Sequence, residues 1–113
     1  MMGYSRGDVV LVSFVFSDET GERRRPAVIV SSEAYHKSRQ EAIIAAITSR
    51  TDRILASDHL ISDWQSAGLL FPSIATGIIR TVKQGMIARK LGVMPGAEME
   101  AIDANLRASL SLT

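Results

Sequence analysis

The chain has 113 residues, of which 46% are hydrophobic and only 5% aromatic, and its formal net charge is +1. This length suits one domain, expected to span residues 1–113, with a modest core built mainly from Val, Ile, Leu and Ala. The small net charge excludes a global basic field, so any nucleic-acid binding must come from local clusters of cations. The absence of cysteine excludes a disulfide framework, a thiolate metal site and a cysteine nucleophile.

The first residues, MMGYSRGD, lack the apolar core of a signal peptide. No apolar run approaches the roughly 20 residues needed to span a bilayer. We therefore expect a soluble, cytoplasmic protein with no membrane partner.

The N-terminal part of the chain predicts two strands joined by a loop. Residues 9–14 form a β-branched run that is apolar on both faces, as in a strand buried on two sides. Residues 17–22 are typical of a polar surface loop. Residues 27–31 predict the second strand, with Pro26 at its first position, where the missing N–H does least harm.

One helical turn and a third strand are predicted next. Residues 32–36 indicate a helical turn capped by Ser31 or Ser32. Residues 42–47 contain alanines that would allow a helix, but their isoleucines and short length favour a buried strand.

The C-terminal half predicts short strands and a terminal helix. A loop at 51–57 leads to a short strand at 58–61, and a cap serine and a closing glycine indicate a short helix at 62–68. Residues 72–91 supply at least one further strand, with glycines marking bends. A helix opens at Pro95-Gly96, and an apolar stripe runs along one of its faces: Met99, Ile102, Leu106 and Leu110. These elements favour a mainly β fold, a small barrel with short helices.

Several segments together resemble one family in their order and spacing. They are RGDVVLV at 6–12, RRPAVIVS at 24–31, AAITS at 45–49, DW at 63–64 and IARKLG at 87–92. The chain resembles the MazF/PemK toxins over nearly its whole length, and the later segments are similar to the PemK-type branch.

The resemblance implies a small SH3-like β-barrel of the MazF/PemK/CcdB type with a C-terminal α-helix. It also implies a homodimeric toxin of a toxin–antitoxin system, silenced by a cognate antitoxin protein. The implied activity is a metal-independent endoribonuclease, without a cofactor, that cleaves single-stranded RNA. Attack by the substrate's own 2′-hydroxyl would give 2′,3′-cyclic phosphate and 5′-hydroxyl ends.

The resemblance places Arg25 in the catalytic role, with Thr48 or Ser49 beside it. A guanidinium offers a rigid fork of donors for phosphate oxygens, and a hydroxyl can donate to another. Arginine is a poor general base, because its pKa as a residue type lies above about 12. Some family members carry an arginine and an aspartate in the segment matching residues 73–79, and this chain has neither there, so the proton acceptor stays unnamed.

Further positions are predicted to contact RNA. Arg23 and Arg24 are expected to position phosphates or to be solvated loop charges, and residues 17–22 to cover the single strand. The full set of RNA-binding candidates is Arg23, Arg24, Asp18, Thr20, Arg50, Thr76 and Arg80.

Each candidate also has a structural interpretation. Arg25 could pair with Asp8 or Glu22 to lock the mouth of the barrel. His36 and His59 are the only histidines, and both are expected at the surface. With no ligand spacing among histidines and carboxylates, no metal site is predicted.

Two other functions remain open from the sequence. A CcdB-like toxin would share the fold but bind DNA gyrase without catalysis, with Arg25 structural. The missing arginine and aspartate motivate a second alternative, an inactive member kept as an antitoxin-binding module.

Overall fold

The computed structural model describes the backbone of residues 3–16 and 21–112. In chain order, its elements are β1 (Asp8–Phe16), β2 (Gly21–Ile29), α1 (Glu33–Arg39), β3 (Glu41–Thr48), β4 (His59–Leu60), β5 (Ile74–Lys83), a 3₁₀ turn (Gln84–Met86), β6 (Ile87–Val93) and α2 (Gly96–Ser109). Within these ranges, no helix combines the length and hydropathy needed to cross a bilayer.

The six strands form one antiparallel sheet in the order β4-β5-β3-β2-β1-β6. The mainly β class is thus confirmed. In the described ranges the outer strands β4 and β6 do not pair with each other, so the hydrogen-bonded sheet is not closed into a full barrel.

Both faces of the central strands are buried. Val9 and Val28, paired across β1 and β2, belong to one apolar cluster, and their neighbours Val10 and Ala27 belong to a second. Because successive strand residues point to opposite faces, the two clusters lie on the two sides of the sheet. The prediction of a strand apolar on both faces is confirmed for β1.

The two helices begin close to their predicted positions. The Ser32 hydroxyl accepts a hydrogen bond from the Tyr35 N–H (3.3 Å) and caps α1. Met99 and Ile102 of α2 are buried in the first cluster, and Leu106 packs against it. Leu110 lies beyond the last helical residue and is 52% exposed, so the predicted stripe is one residue too long.

The second strand is longer than predicted. It begins at Gly21, so the arginines lie within a strand and Pro26 is opposite Leu11 rather than at a strand start. The sequence did not predict residues 21–26 as a strand because charged residues and proline are uncommon in buried sheets. Pairing between β2 and β3 begins at Ala27, so the earlier residues have only β1 as a described neighbour, an edge-like setting that tolerates proline.

The predicted helix at 62–68 is wrong. The segment is a series of turns in which the N–H of Gly68 donates to Gln65 O (3.0 Å) and that of Leu69 to Trp64 O (3.1 Å). Gly68 has φ +83°, and a Cβ there would lie 2.1 Å from the carbonyl oxygen of Leu91. The backbone of this segment therefore lies in close contact with the backbone of β6 at Gly68.

Candidate active site

The three consecutive arginines lie on β2 and are all exposed. Side chains alternate along a strand, so Arg23 and Arg25 share a face with Ala27, whereas Arg24 is on the opposite face with Val28. The strand therefore divides these cations between the two faces of the sheet.

Arg25 is opposite Val12 in the pairing of β1 and β2. Asp8, one of its two possible structural partners, instead lies 3.3 Å from Lys90 Nζ and accepts a hydrogen bond from the Ser5 N–H (2.9 Å). The side chain of Glu22, the other possible partner, is outside the described residues.

The register of β2 and β3 relates Arg25 to Thr48. Ala27 is opposite Ala46 in that pairing, and the register continued by two residues aligns Arg25 with Thr48 at the end of β3. Residues two apart on a strand share a face, so Arg25, Ala27, Ala46 and Thr48 all point to the same side of the sheet. Two residues 23 positions apart in the chain are thereby placed on the same face of the sheet.

Thr48 ends β3 and shapes the turn that follows. Its Oγ1 accepts a hydrogen bond from the Arg50 N–H (3.1 Å), which is the local side-chain to backbone contact typical of threonine at a strand end. Ser49 and Arg50 are exposed, and Arg50 Nε lies 4.0 Å from Asp52 Oδ1.

A cleft of about 780 Å³ opens beside this strand end. Of the predicted site residues, it brings together Thr48, Arg50 and Thr76, while Arg25 stands on the neighbouring strand facing the same side. The cleft is open to solvent and lined by the end of β3, the loop at 50–58, the bulge of β5 and the end of α2.

Thr76 lies in an irregularity of β5. Between the pairs Ala45–Ile79 and Ile47–Ala75, the register shifts and β5 bulges outward. The Thr76 hydroxyl donates to Ala46 O (2.7 Å) and accepts from the Ile78 N–H (3.2 Å), so this side chain holds the bulge against β3.

The remaining predicted contacts are dispersed. Arg80 is exposed on β5 opposite Ile44, and Ser49 is not among the residues that line the cleft. Asp18 and Thr20 lie outside the described residues.

Sequence reasoning missed the loop residues of the cleft. Arg53, Asp52 and Asp58 line it together with Ser57. The available signal was a stretch rich in charged residues immediately after a predicted strand end, where binding residues are often found. Without the fold, nothing in the sequence indicated that this loop returns to the bulge of β5.

Both histidines are less exposed than predicted. His36 is 2% exposed, with Nε2 2.6 Å from Ser31 Oγ, and His59 Nε2 lies 2.6 Å from Glu98 Oε1. The expectation that both are surface residues is wrong for His36, whereas His59 is half-buried, with 20% of its side chain exposed. Neither lines the cleft.

Glu98 is a buried carboxylate in the first turn of α2. Burial alone would raise its pKa, but hydrogen bonds from His59 and from the backbone N–H groups of Asp63 and Ser62 outweigh burial, so the pKa is lowered from its ordinary value of 4.5. Glu98 is therefore held as an anion that ties α2 to β4 and to the segment after it.

Comparison with known proteins identifies a family and a shared fold. The family described as PemK-like, MazF-like toxin of type II toxin–antitoxin system matches residues 5–110. Among solved structures, an endoribonuclease from a mycobacterial species is 20% identical, with 99% of this chain and 95% of that chain covered and a TM-score of 0.77.

Two toxin–antitoxin complexes are also similar. An endoribonuclease bound to its cognate antitoxin, again from a mycobacterial species, is 21% identical, with 98% of both chains covered and a TM-score of 0.77. The MazE–MazF complex of Deinococcus radiodurans is 16% identical, with 97% of both chains covered and a TM-score of 0.81. At these identities, the structures establish the similarity of fold.

Proposed function

This chain belongs to the family of PemK-like, MazF-like toxins of type II toxin–antitoxin systems, and on that premise we propose that it is an endoribonuclease that cleaves single-stranded RNA. The observation that carries this proposal is the pairing of Ala27 with Ala46, because this register, extended by two residues, puts Arg25 on the same face of the sheet as Thr48, which lines the cleft. The endoribonucleases of similar fold support the reaction class.

Arg25 stabilises negative charge on the reacting phosphate. Its guanidinium is exposed, and the described part of the chain supplies it with no hydrogen-bond or ion-pair partner. A guanidinium presents planar donors that match two phosphate oxygens, and donors aimed at developing charge are worth about 10²–10³ in rate.

Thr48 donates its hydroxyl proton to a phosphate oxygen. The hydroxyl already accepts from the Arg50 N–H, which sets the direction of its oxygen. A hydroxyl has one proton to donate, and no acceptor for it is found among the described residues. Ser49, one residue further on, is the alternative donor.

The reaction is a transesterification within the RNA strand. The 2′-oxygen loses its proton and forms a bond to phosphorus, the bond from phosphorus to the 5′-oxygen breaks, and the 5′-oxygen takes up a proton. The products are a 2′,3′-cyclic phosphate and a 5′-hydroxyl. The nucleophile comes from the substrate, so the chain has to supply charge stabilisation and proton transfer.

We propose a cognate antitoxin protein as the inhibitor, as in the complexes of similar fold. From membership of the family we also propose a homodimer as the active form of a single domain spanning 1–113. Arg50 and Arg53 provide cations in the cleft, and Arg23 provides one on the same face of β2 as Arg25, where phosphates of a single strand could be held.

Purified protein incubated with single-stranded RNA of mixed sequence in excess chelator tests this function. We expect cleavage, with 2′,3′-cyclic phosphate and 5′-hydroxyl ends identified by end-specific ligation. A second tube with added Mg²⁺ serves as the control for metal dependence. Intact RNA in both tubes would contradict the proposal, and tight binding to DNA gyrase without cleavage would favour the CcdB-like alternative.

A further inference from the structure

Asp58 joins two separate segments that border the cleft. Its Oδ2 accepts a hydrogen bond from the Leu55 N–H (2.9 Å), and its Oδ1 accepts one from the Gly77 N–H (3.3 Å). The Asp58 N–H in turn donates to Leu55 O (3.1 Å). One carboxylate therefore closes the loop at 50–58 and attaches it to the bulge of β5.

The backbone at this junction has an unusual conformation. Ser57 has φ +73°, a left-handed conformation that non-glycine residues rarely adopt. Such conformations persist only where the surroundings enforce them, and they cluster at functional sites. The Ser57 hydroxyl also contacts that of Ser109 in α2.

Gly77 and Ser57 approach each other closely. A Cβ added at Gly77 would lie 2.8 Å from the Cβ of Ser57. Any larger residue at 77 would therefore push the loop away from the bulge.

The junction forms part of the lining of the cleft. The bulge that Asp58 binds is the one that Thr76 attaches to Ala46, two residues before Thr48. The loop that Asp58 closes carries Arg50 and Arg53 on the wall of the same cleft. Arg50 is fixed relative to Thr48 by its own N–H, which donates to Thr48 Oγ1, whereas the position of Arg53 relative to Thr48 depends on the Asp58 contacts.

We propose that Asp58 is a positioning residue for RNA binding, which holds the loop at 50–58 against β5 so that Arg53 faces the substrate in the same cleft as Thr48. This inference rests on the proposed endoribonuclease function. Asp58 contributes through the loop and makes no contact with the RNA itself.

The direction in which Asp58→Asn changes RNA binding distinguishes a positioning role of Asp58 from an effect of its charge alone. A carboxylate in a cleft that binds a polyanion opposes binding, so its neutralisation alone would strengthen RNA binding. If Asp58 instead positions the loop, Asp58→Asn weakens binding, because the amide keeps one acceptor oxygen where the carboxylate had two. Asp52→Asn is the control for charge: it removes the same charge from the same cleft and releases Arg50 from its ion pair at 4.0 Å, two changes that favour RNA binding, while the Asp58 contacts stay intact.

The test is steady-state cleavage of a single-stranded RNA in chelator by the wild type, Asp58→Asn and Asp52→Asn. We expect Asp58→Asn to raise KM at least fivefold with kcat within about twofold of the wild type, and Asp52→Asn to leave KM unchanged or lower. Gly77→Ala, which changes no charge, should raise KM in the same way. Amide hydrogen exchange at Leu55 should quicken in Asp58→Asn and stay slow in Asp52→Asn, a readout that needs no RNA.

Each contrary result has its own meaning. An unchanged or lowered KM in Asp58→Asn would overturn the inference, and so would a fall in kcat alone, which indicates loss of folded enzyme. Faster exchange at Leu55 with an unaltered KM would likewise overturn it. A wild type that leaves RNA intact would overturn the proposed function itself, and the wild-type reaction alone reveals that case.

Discussion

Nε2 of His59 lies 2.6 Å from Oε1 of Glu98, which joins the edge strand β4 to the first turn of α2. The second oxygen of Glu98 accepts a hydrogen bond from the Asp63 N–H (2.6 Å). A carboxylate in the first turn of a helix also interacts favourably with the partial positive charge there. One buried side chain thus connects the helix, the edge strand and the turn segment at 62–68.

Glu98→Ala should destabilise the fold. It leaves the Asp63 N–H and the His59 imidazole without this partner, and a buried group deprived of its hydrogen bond costs about 1–3 kcal/mol. Urea unfolding at pH 7 measures the loss. Glu100→Ala, on the exposed side of the same helix, is the control and should change stability little. Equal effects of the two substitutions would contradict this role for Glu98.

The same contact predicts an acid-sensitive part of the stability. The pKa of Glu98 is lower in the folded chain than its ordinary value of 4.5, so the unfolded chain binds the proton more tightly. The stabilisation is therefore present above about pH 4.5 and is lost as the pH falls through the folded pKa. Unfolding free energies between pH 6 and pH 3 should fall more steeply for the wild type than for Glu98→Ala, and parallel curves would refute this.

Arg25→Ala should lower RNA cleavage by about 10²-fold or more, because it removes charge stabilisation from the transition state. The side chain is exposed, so the melting temperature should stay close to that of the wild type. Arg25→Lys should retain only part of the activity, since an ammonium lacks the planar pair of donors. Lys37→Ala on α1 controls for loss of a cation, and full activity of Arg25→Ala would remove this residue from the mechanism.

Thr48→Val should lower cleavage by roughly tenfold or more, because the phosphate loses a hydroxyl donor and the Arg50 N–H loses its acceptor. Thr48→Ser keeps both functions and should recover most of the activity. The measurement is kcat/KM on the same RNA. An active Thr48→Val variant beside an impaired Thr48→Ser variant would show that the methyl group, and not the hydroxyl, is the important feature.

Gly68→Ala should destabilise the chain by at least about 2 kcal/mol. The residue has φ +83°, and a Cβ there would lie 2.1 Å from Leu91 O, an atom of the backbone that cannot rotate away. Thermal unfolding gives the effect directly. Gly85→Ala, where nothing lies within 4 Å of the added carbon, should leave the transition nearly unchanged. A stable Gly68→Ala variant would show that the segment at 62–68 can move away from β6.

The elements that the sequence predicted well are those whose structure depends on an apolar pattern or on contacts between near neighbours in the chain. Residues 42–47 form a strand because their isoleucines are buried on both faces of the sheet, and the turn capped by Ser32 needs only local contacts. The start of β2 was missed because charges and Pro26 are uncommon in buried strands, and only pairing with β1 explains them.

Part of the candidate site could be proposed from the sequence because of the family resemblance. Arg25 and Thr48 stand out through the family resemblance, and the register of β2 and β3 then aligns them. Asp58 could not be found, because its partners Leu55 and Gly77 come together only when the loop returns to the bulge of β5. A contact between backbone and side chain across 19 residues leaves no periodic signal in a sequence.

The backbone contact between the segment at 62–68 and β6 is reciprocal: a Cβ at Gly92 would lie 2.5 Å from Ala67 O, just as one at Gly68 would meet Leu91 O. Two main chains in contact hold this segment, so its outward side chains are free to change. Gln65 is one of these, exposed and absent from the cleft lining. Because the chain contains no cysteine, Gln65→Cys would introduce a unique thiol there. A fluorophore attached at that point would report on RNA or antitoxin binding from a rigid position outside the cleft.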